Sequence, residues 1–294
     1  MDTQEIFKKI RKIEIKTRGL SRNIFAGEYQ SAFKGRGMTF SEVREYQPGD
    51  DIRLIDWNVT ARFNHPFIKV FAEERELTVI LMIDVSGSEF FGTRSQLKKD
   101  LITEISALIS FSAIANNDKI GVILFSSQVE KFIPPKKGRT HILRIIRELI
   151  DFEPQYKGTN LSNALEYLSN AIKKRSIVFI LSDFLANDNF ENPLSIANKK
   201  HDTIAIQIMD RNEKELPNLG IVDVFDPETQ RIITIDTSSY QTREAYKKIW
   251  ENKQKSIDTL RQRMSIDTIK IYTGDSYIAP LQQFFKLREW RRQY

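Results

Sequence analysis

The sequence predicts an α/β fold with a doubly wound, mainly parallel sheet, and three observations carry that expectation. First, the runs Leu77–Ile83, Lys119–Phe125 and Ser176–Leu181 are almost wholly apolar. Strands covered on both faces of a parallel sheet read this way. Second, segments with helical apolar spacing separate these runs, and strands alternating with helices at this spacing predict βαβ units with right-handed crossovers. Third, the first and third runs stop at polar loops, Asp84-Val85-Ser86-Gly87-Ser88 and Ser182-Asp183-Phe184. In open α/β sheets, ligands sit at the carboxyl ends of strands.

In chain order, Thr3 to Thr17 has Ile6, Phe7, Ile10 and Ile13 on one stripe with lysines and arginines opposite, so a basic amphipathic helix is expected. Such a helix either lies on a membrane or partner or docks on its own core, and docking is the favoured reading. Gly19 to Gly37 shows no period and reads as a loop. Met38 to Phe63 is dense in charge and aromatics, with a turn at Gln47-Pro48-Gly49-Asp50. Arg44, Arg53 and Arg62 interleave there with Glu42, Glu45, Asp50, Asp51 and Asp56. Two readings stand for this segment, a recognition surface or an ion-paired clip that braces the N-terminus, with the brace favoured. Trp57 is expected to pack. Phe67 to Arg75 alternates as an edge strand leading into the central one.

After the Asp84 loop, Lys98 to Ala115 is a strongly apolar helix that ends at Asn116-Asn117-Asp118. A short strand over Val129–Ile133 precedes Pro134-Pro135, and Thr140–Ile150 and Leu161–Lys173 read as helices around a Tyr156–Asn160 loop. A helix near Phe190–Lys199 leads to a strand over Thr203–Met209. Ile221–Asp226 and Arg231–Asp236 form a hairpin pattern; a long charged helix over Tyr240–Met264, a strand over Thr268–Tyr272 and a helix over Ala279–Trp290 complete the chain. The simplest division is an N-terminal extension over residues 1–76 and one α/β domain over residues 77–294.

Composition narrows the function classes. Lys and Arg total 45 against 39 Asp and Glu, a net charge of +6 spread along the chain, so nucleic acid is not an expected partner. There are no cysteines, which excludes disulfides and thiolate chemistry and fits a reducing cytoplasm. The three histidines, His65, His141 and His201, are far apart, against a histidine-rich metal centre. No run reaches the roughly 20 apolar residues of a membrane span. A cytoplasmic protein is expected.

The loops at strand ends offer hard oxygen. Asp84, Ser86 and Ser88 come first, with Gly87 between the hydroxyls to permit a sharp turn. Magnesium and manganese seek such donors in near-octahedral cages, with Mg–O about 2.0–2.1 Å and some waters kept. The string alone is weakly specific, because a Ser-capped helix start behind a strand looks the same. Gly158-Thr159 and Asp183 add to it further along. The order Asp-x-Ser-x-Ser, a lone Thr in a Gly-Thr loop and an Asp after a buried strand resembles the metal-ion-dependent adhesion site of von Willebrand factor A domains.

A more specific resemblance lies upstream. Gly35-Arg36-Gly37-Met38-x-Phe40-Ser41-Glu42-Val43-Arg44-Glu45-Tyr46-x-Pro48-Gly49-Asp50-Asp51-Ile52-Arg53-x-Ile55-Asp56-Trp57, continuing to Ala61-Arg62, resembles the hallmark of the bacterial domain-of-unknown-function family fifty-eight. That family carries a von Willebrand A-like domain after this segment, and its members are often found beside MoxR-type AAA+ ATPases. Many begin with membrane-spanning segments, which this chain does not show. The resemblance implies a von Willebrand A-like, Rossmann-like topology and a Mg²⁺ or Mn²⁺ ion. Ser86, Ser88 and Thr159 would be near-direct ligands, with Asp84 and Asp183 acting mostly through water. Neutral ligands leave the cation short of negative charge, and an acidic side chain from a protein partner would complete its shell. The expected function is thus a metal-dependent interaction module, an adaptor for a MoxR-type ATPase.

The alternative is a hydrolase or phosphotransferase using the same metal. The chain has no Gly-x-x-x-x-Gly-Lys-Ser/Thr phosphate loop, and a haloacid-dehalogenase-type phosphatase would want a second Asp where Ser86 stands. Ser86 also lacks the flanking glycines of a nucleophile elbow, and no histidine falls in a loop where it would activate a serine.

Overall fold

The computed structural model describes residues 3–20, 33, 38–73, 76–87, 97–186, 188–225 and 232–293. Its centre is a six-stranded sheet. The elements in chain order are α1 (Thr3–Leu20), β1 (Met38–Glu45), α2 (Trp57–Phe63), β2 (Phe67–Glu73), β3 (Thr78–Asp84), α3 (Lys98–Ala115), β4 (Lys119–Phe125) and β5 (Val129–Lys136). Then come α4 (Arg139–Asp151), α5 (Leu161–Ala171), β6 (Ile177–Ser182), α6 (Glu191–Lys200), β7 (Asp202–Met209), β8 (Ile221–Phe225), β9 (Ile232–Asp236), α7 (Tyr240–Arg263), β10 (Asp267–Tyr272) and α8 (Ile278–Gln293).

The sheet order is β10-β7-β6-β3-β4-β5, parallel except for β5. The apolar runs take the central places because they alone have no polar face to give to water. Every residue of β6, and all but the first of β3, is buried. Alternate side chains of β3 feed two cores. Val79, Leu81 and Ile83 face α1, α3, α4 and α8, whereas Ile80 and Met82 face α5, α6 and α7. This is the expected doubly wound arrangement, with helices on both faces. Helix α3 is apolar on nearly every side, as a buried helix is. Helix α1 lies on the core through Ile10, with Lys9 and Lys16 paired to Asp100 and Glu104 of α3.

Three expectations change. Phe67–Glu73 is a strand, but it does not lead along the central sheet. It pairs with Met38–Glu45 in a separate two-stranded antiparallel sheet. That first strand escapes the sequence pattern because its register shifts between Phe40 and Glu42, which breaks the alternation. Strand β5 runs on through Pro134-Pro135 to Lys136. It lies at the sheet edge, where a missing N–H removes no bond from a central ladder. Gly121 on β4 makes room there, since a Cβ would stand 3.0 Å from Ile133 O and from Pro135 Cγ. Trp57 does not pack: it is 70% exposed at the start of the short α2.

Candidate functional site

Strand β3 continues to β4 and β5 on one side, while β6, β7 and β10 build outward on the other. The topological switch point therefore lies between β3 and β6, where such sheets open a ligand crevice. The strand ends at that crevice carry Asp84 and Asp183, both buried. Asp84 Oδ1 accepts the Ser86 N–H at 3.0 Å, and Oδ2 accepts the Ser182 hydroxyl at 2.8 Å. Burial, and next the charge of Asp183, push the Asp84 carboxyl up to about 7. Ser86 is fully buried beside it.

Thr159 reaches the same edge through its loop. Val85 N donates to Phe125 O at 2.8 Å, and Asn160 N donates to Ser126 O at 2.9 Å, so the loop is pinned to the end of β4, the strand next to Asp84. Glu130 accepts the Tyr156 N–H at 2.9 Å and the Ser126 hydroxyl at 2.6 Å, and Gly158 takes φ +78°. Thr159 itself is half-buried. Asp84, Ser86, Thr159 and Asp183 are thus gathered at one sheet edge. Ser88 lies outside the described residues.

Sequence reasoning missed the side chains that back this site. Lys98, the first residue of α3, is fully buried, with Nζ 3.2 Å from Asp183 Oδ2 and 2.5 Å from Glu213 Oε1. Glu213 sits in the turn after β7, where it closes a capping box with Asp210. Burial raises its carboxyl, and Lys98 opposes that shift. The other oxygen of Asp183 accepts the Leu185 N–H at 2.9 Å. The Asp183 carbonyl accepts Gln207 Nε2 at 3.0 Å, and Gln207 in turn meets Gln254 and the buried Arg261. Lys253 donates to the Leu185 carbonyl, and burial lowers its ammonium while Asp183 opposes that. Lys98 stands in the sequence as one of several charged residues at the head of a helix that is apolar further along, and nothing local sets it apart.

In donor chemistry these residues fit a divalent cation, since every group is hard oxygen. Among the described residues, no ion pair involves Asp84, so one of three neighbouring carboxylates has no cation on it. Among those residues, no three His, Asp or Glu converge as a metal-holding group. A cation here would therefore depend on the hydroxyls. None of the three histidines is at the site. His141 lies on α4 against Ile120 O, His201 precedes β7 at the opposite sheet edge, and His65 sits between α2 and β2.

The segment singled out upstream forms its own small unit. Arg44 grips Asp50 with both guanidinium nitrogens, at 2.8 and 2.7 Å, across the Gln47–Asp50 turn. The guanidinium, together with the Gln47 N–H, holds the Asp50 carboxyl below its ordinary range. Asp56 caps α2 through Asn58 N and Val59 N, 3.6 Å from Lys69. Arg53 and Arg62 are exposed. Among the described residues, these side chains bond and pair within their own unit rather than with the Asp84 cluster. Among the described residues, no helix is long and apolar enough to cross a membrane.

Comparison with known proteins agrees with this architecture. The uncharacterized protein Rv1480 of Mycobacterium tuberculosis is 30% identical over 231 residues, covering 78% of this chain and 73% of that protein. A crystallised aerotolerance-related membrane protein from Bacteroides fragilis superposes with a TM-score of 0.51 at 12% identity, over 73% of this chain and 99% of that one. The VWA domain of SpRpn10 superposes with a TM-score of 0.41 at 9% identity, over 70% of this chain and 93% of that domain. At 12% identity the likeness to the Bacteroides fragilis protein is one of fold. Residues 42–256 match the model described as protein of unknown function DUF58, and the chain belongs to that family.

Proposed function

We propose that this DUF58 family member is a protein-interaction module whose carboxyl-edge site takes Mg²⁺ or Mn²⁺ and, through it, an acidic side chain of a partner protein. The observation that carries this reading is the buried Asp84 carboxylate at the switch point. It has no cationic partner among the described residues and stands beside Asp183, Ser86 and the Thr159 loop. Water exclusion makes the charge imbalance costly, and a bound cation relieves it. Ser86, Ser88 and Thr159 supply neutral donors, and Asp84 and Asp183 supply charge through water. A cation held so is under-neutralised and attracts a carboxylate. The partner class expected from the family resemblance is a MoxR-type AAA+ ATPase.

The test is titration calorimetry with Mg²⁺ and Mn²⁺ on the protein and on Asp84→Ala, with folding checked by circular dichroism. One equivalent bound by the protein and none by the folded variant is expected. No binding to either, or equal binding to both, overturns the reading. Binding to a purified MoxR-type ATPase is expected to vanish with EDTA and return with Mg²⁺.

A further inference from the structure

The side chain nearest to a bound cation in character is one the protein already holds. Lys98 has no solvent exposure, and its ammonium spans Asp183 and Glu213. Replacing a buried ion pair by apolar packing is often neutral or stabilising, so stability alone does not account for a lysine here. Its placement is specific. It ties the head of α3 to two loops that end neighbouring strands, β6 with Asp183 and β7 with Glu213. Tyr246 from α7 braces the second loop by donating to the Glu213 carbonyl at 3.0 Å. With Lys98 on one Asp183 oxygen and the Leu185 N–H on the other, both oxygens of that carboxylate are engaged. A divalent ion ligated directly by the same carboxylate would stand a few ångströms from the ammonium, where burial of Lys98 leaves the repulsion poorly screened by bulk solvent.

We propose that Lys98 is a built-in cation that competes with the divalent ion for Asp183, keeping water between the two and leaving the ion weakly held and short of negative charge. This rests on the cation reading of the site. It gives that site its dependence on a partner: an incoming carboxylate supplies what Lys98 withholds. Lys98 is a positioning residue, acting through Asp183.

The experiment is Mn²⁺ titration of the full metal-stripped chain, followed by the free-ion electron paramagnetic resonance signal, with water-proton relaxation to count waters on the bound ion. Wild type, Lys98→Met and Lys98→Met/Glu213→Met are compared. The double variant removes one charge of each sign, so it keeps the net charge and protects the fold if the single variant does not assemble. The expected result is about tenfold tighter Mn²⁺ binding in both variants, the scale on which groups behind the ligands tune metal affinity. One fewer water on the ion is expected as Asp183 ligates directly. A merely structural lysine would not tighten binding when removed. Variants that bind no tighter than a wild type that does bind overturn the competitor and leave the cation reading standing. Variants that bind where wild type does not support the competitor and overturn the cation reading for the native chain. No binding in any of the three overturns both.

Discussion

Two ion-paired clusters in this molecule use the same side-chain chemistry in opposite settings. Lys98 and Asp183 are sealed at the switch point of the sheet, their side chains 0% and 4% exposed, with the half-buried Glu213 beside them. Arg44 and Asp50 make the better geometry, a two-nitrogen fork, but their side chains are 39% and 18% exposed on a hairpin of their own. Solvent and salt screen the second pair, and what it fixes is a turn. The first pair cannot be screened, so removing either sign leaves a charge with nowhere to go. Burial, more than bond length, decides which cluster can govern a site.

The largest effect is expected at Lys98. Lys98→Met leaves the buried Asp183 and the half-buried Glu213 without their cation, and a broken buried pair costs about 3–5 kcal/mol. Urea unfolding with an unchanged m-value measures it. Lys98→Met/Glu213→Met should recover only part of the loss, because the buried Asp183 still lacks its cation. A single variant as stable as wild type would mean that the carboxylates take up protons instead, and its stability would then fall steeply above neutral pH.

Next come the buried titrating groups, which act with opposite signs. Burial and Asp183 raise the Asp84 carboxyl to about 7, so between about pH 4 and 7 the native state holds a proton that the unfolded chain has released. Metal-free stability therefore falls as pH rises through that window, by up to about 4 kcal/mol. Asp84→Asn should remove the slope and make the metal-free protein more stable at pH 7.5. His201, with both ring nitrogens buried and no hydrogen-bond partner for them among the described residues, is pushed down to about 4 by burial. It stays neutral in the native state while the unfolded chain protonates below about pH 6.5, so its contribution is lost as pH falls from there towards 4. The two slopes oppose each other in wild type. Thermal melts from pH 4 to 8 should show a falling limb in His201→Phe and a rising one in Asp84→Asn. Mn²⁺ binding should also release a proton from Asp84, read as a buffer-dependent heat.

The same contrast explains what could be read beforehand. Strands β3, β4 and β6 were legible because both of their faces are buried, which leaves an unbroken apolar run in the sequence. Asp84 and Asp183 were legible because they end such runs. Lys98 was not, because a lysine at a helix start normally reaches water, and its partner Glu213 comes from a turn far along the chain. Pairing across sequence distance leaves no local pattern. Strand β1 was hidden for a different reason. It pairs in a small sheet apart from the central one, and a bulge interrupts its alternation. Trp57 misled because a large aromatic side chain usually packs, whereas the capped turn that carries it turns it outward.

The smallest effect on stability is expected at Arg44, and there the value lies in what does not change. Asp50 is held below the usual carboxylate range, so its pairing contributes above about pH 4 and is lost below it, and 1 M salt weakens it throughout. Arg44→Met should leave the global unfolding midpoint close to wild type and Mn²⁺ affinity unchanged. It should speed hydrogen exchange only in the turn around Gln47–Asp50, where Gln47 N and Asp50 N are tied down. A global loss of stability would instead make this hairpin a brace for the sheet. The exposed Ile52, Trp57 and Phe63 on the same unit give the experiment a second edge. If Trp57→Ala leaves both folding and Mn²⁺ binding intact yet abolishes binding to the ATPase, the partner touches the molecule twice. It would bind once through the cation at the switch point and once through Trp57, and the sequence hallmark would be a recognition surface rather than a clip.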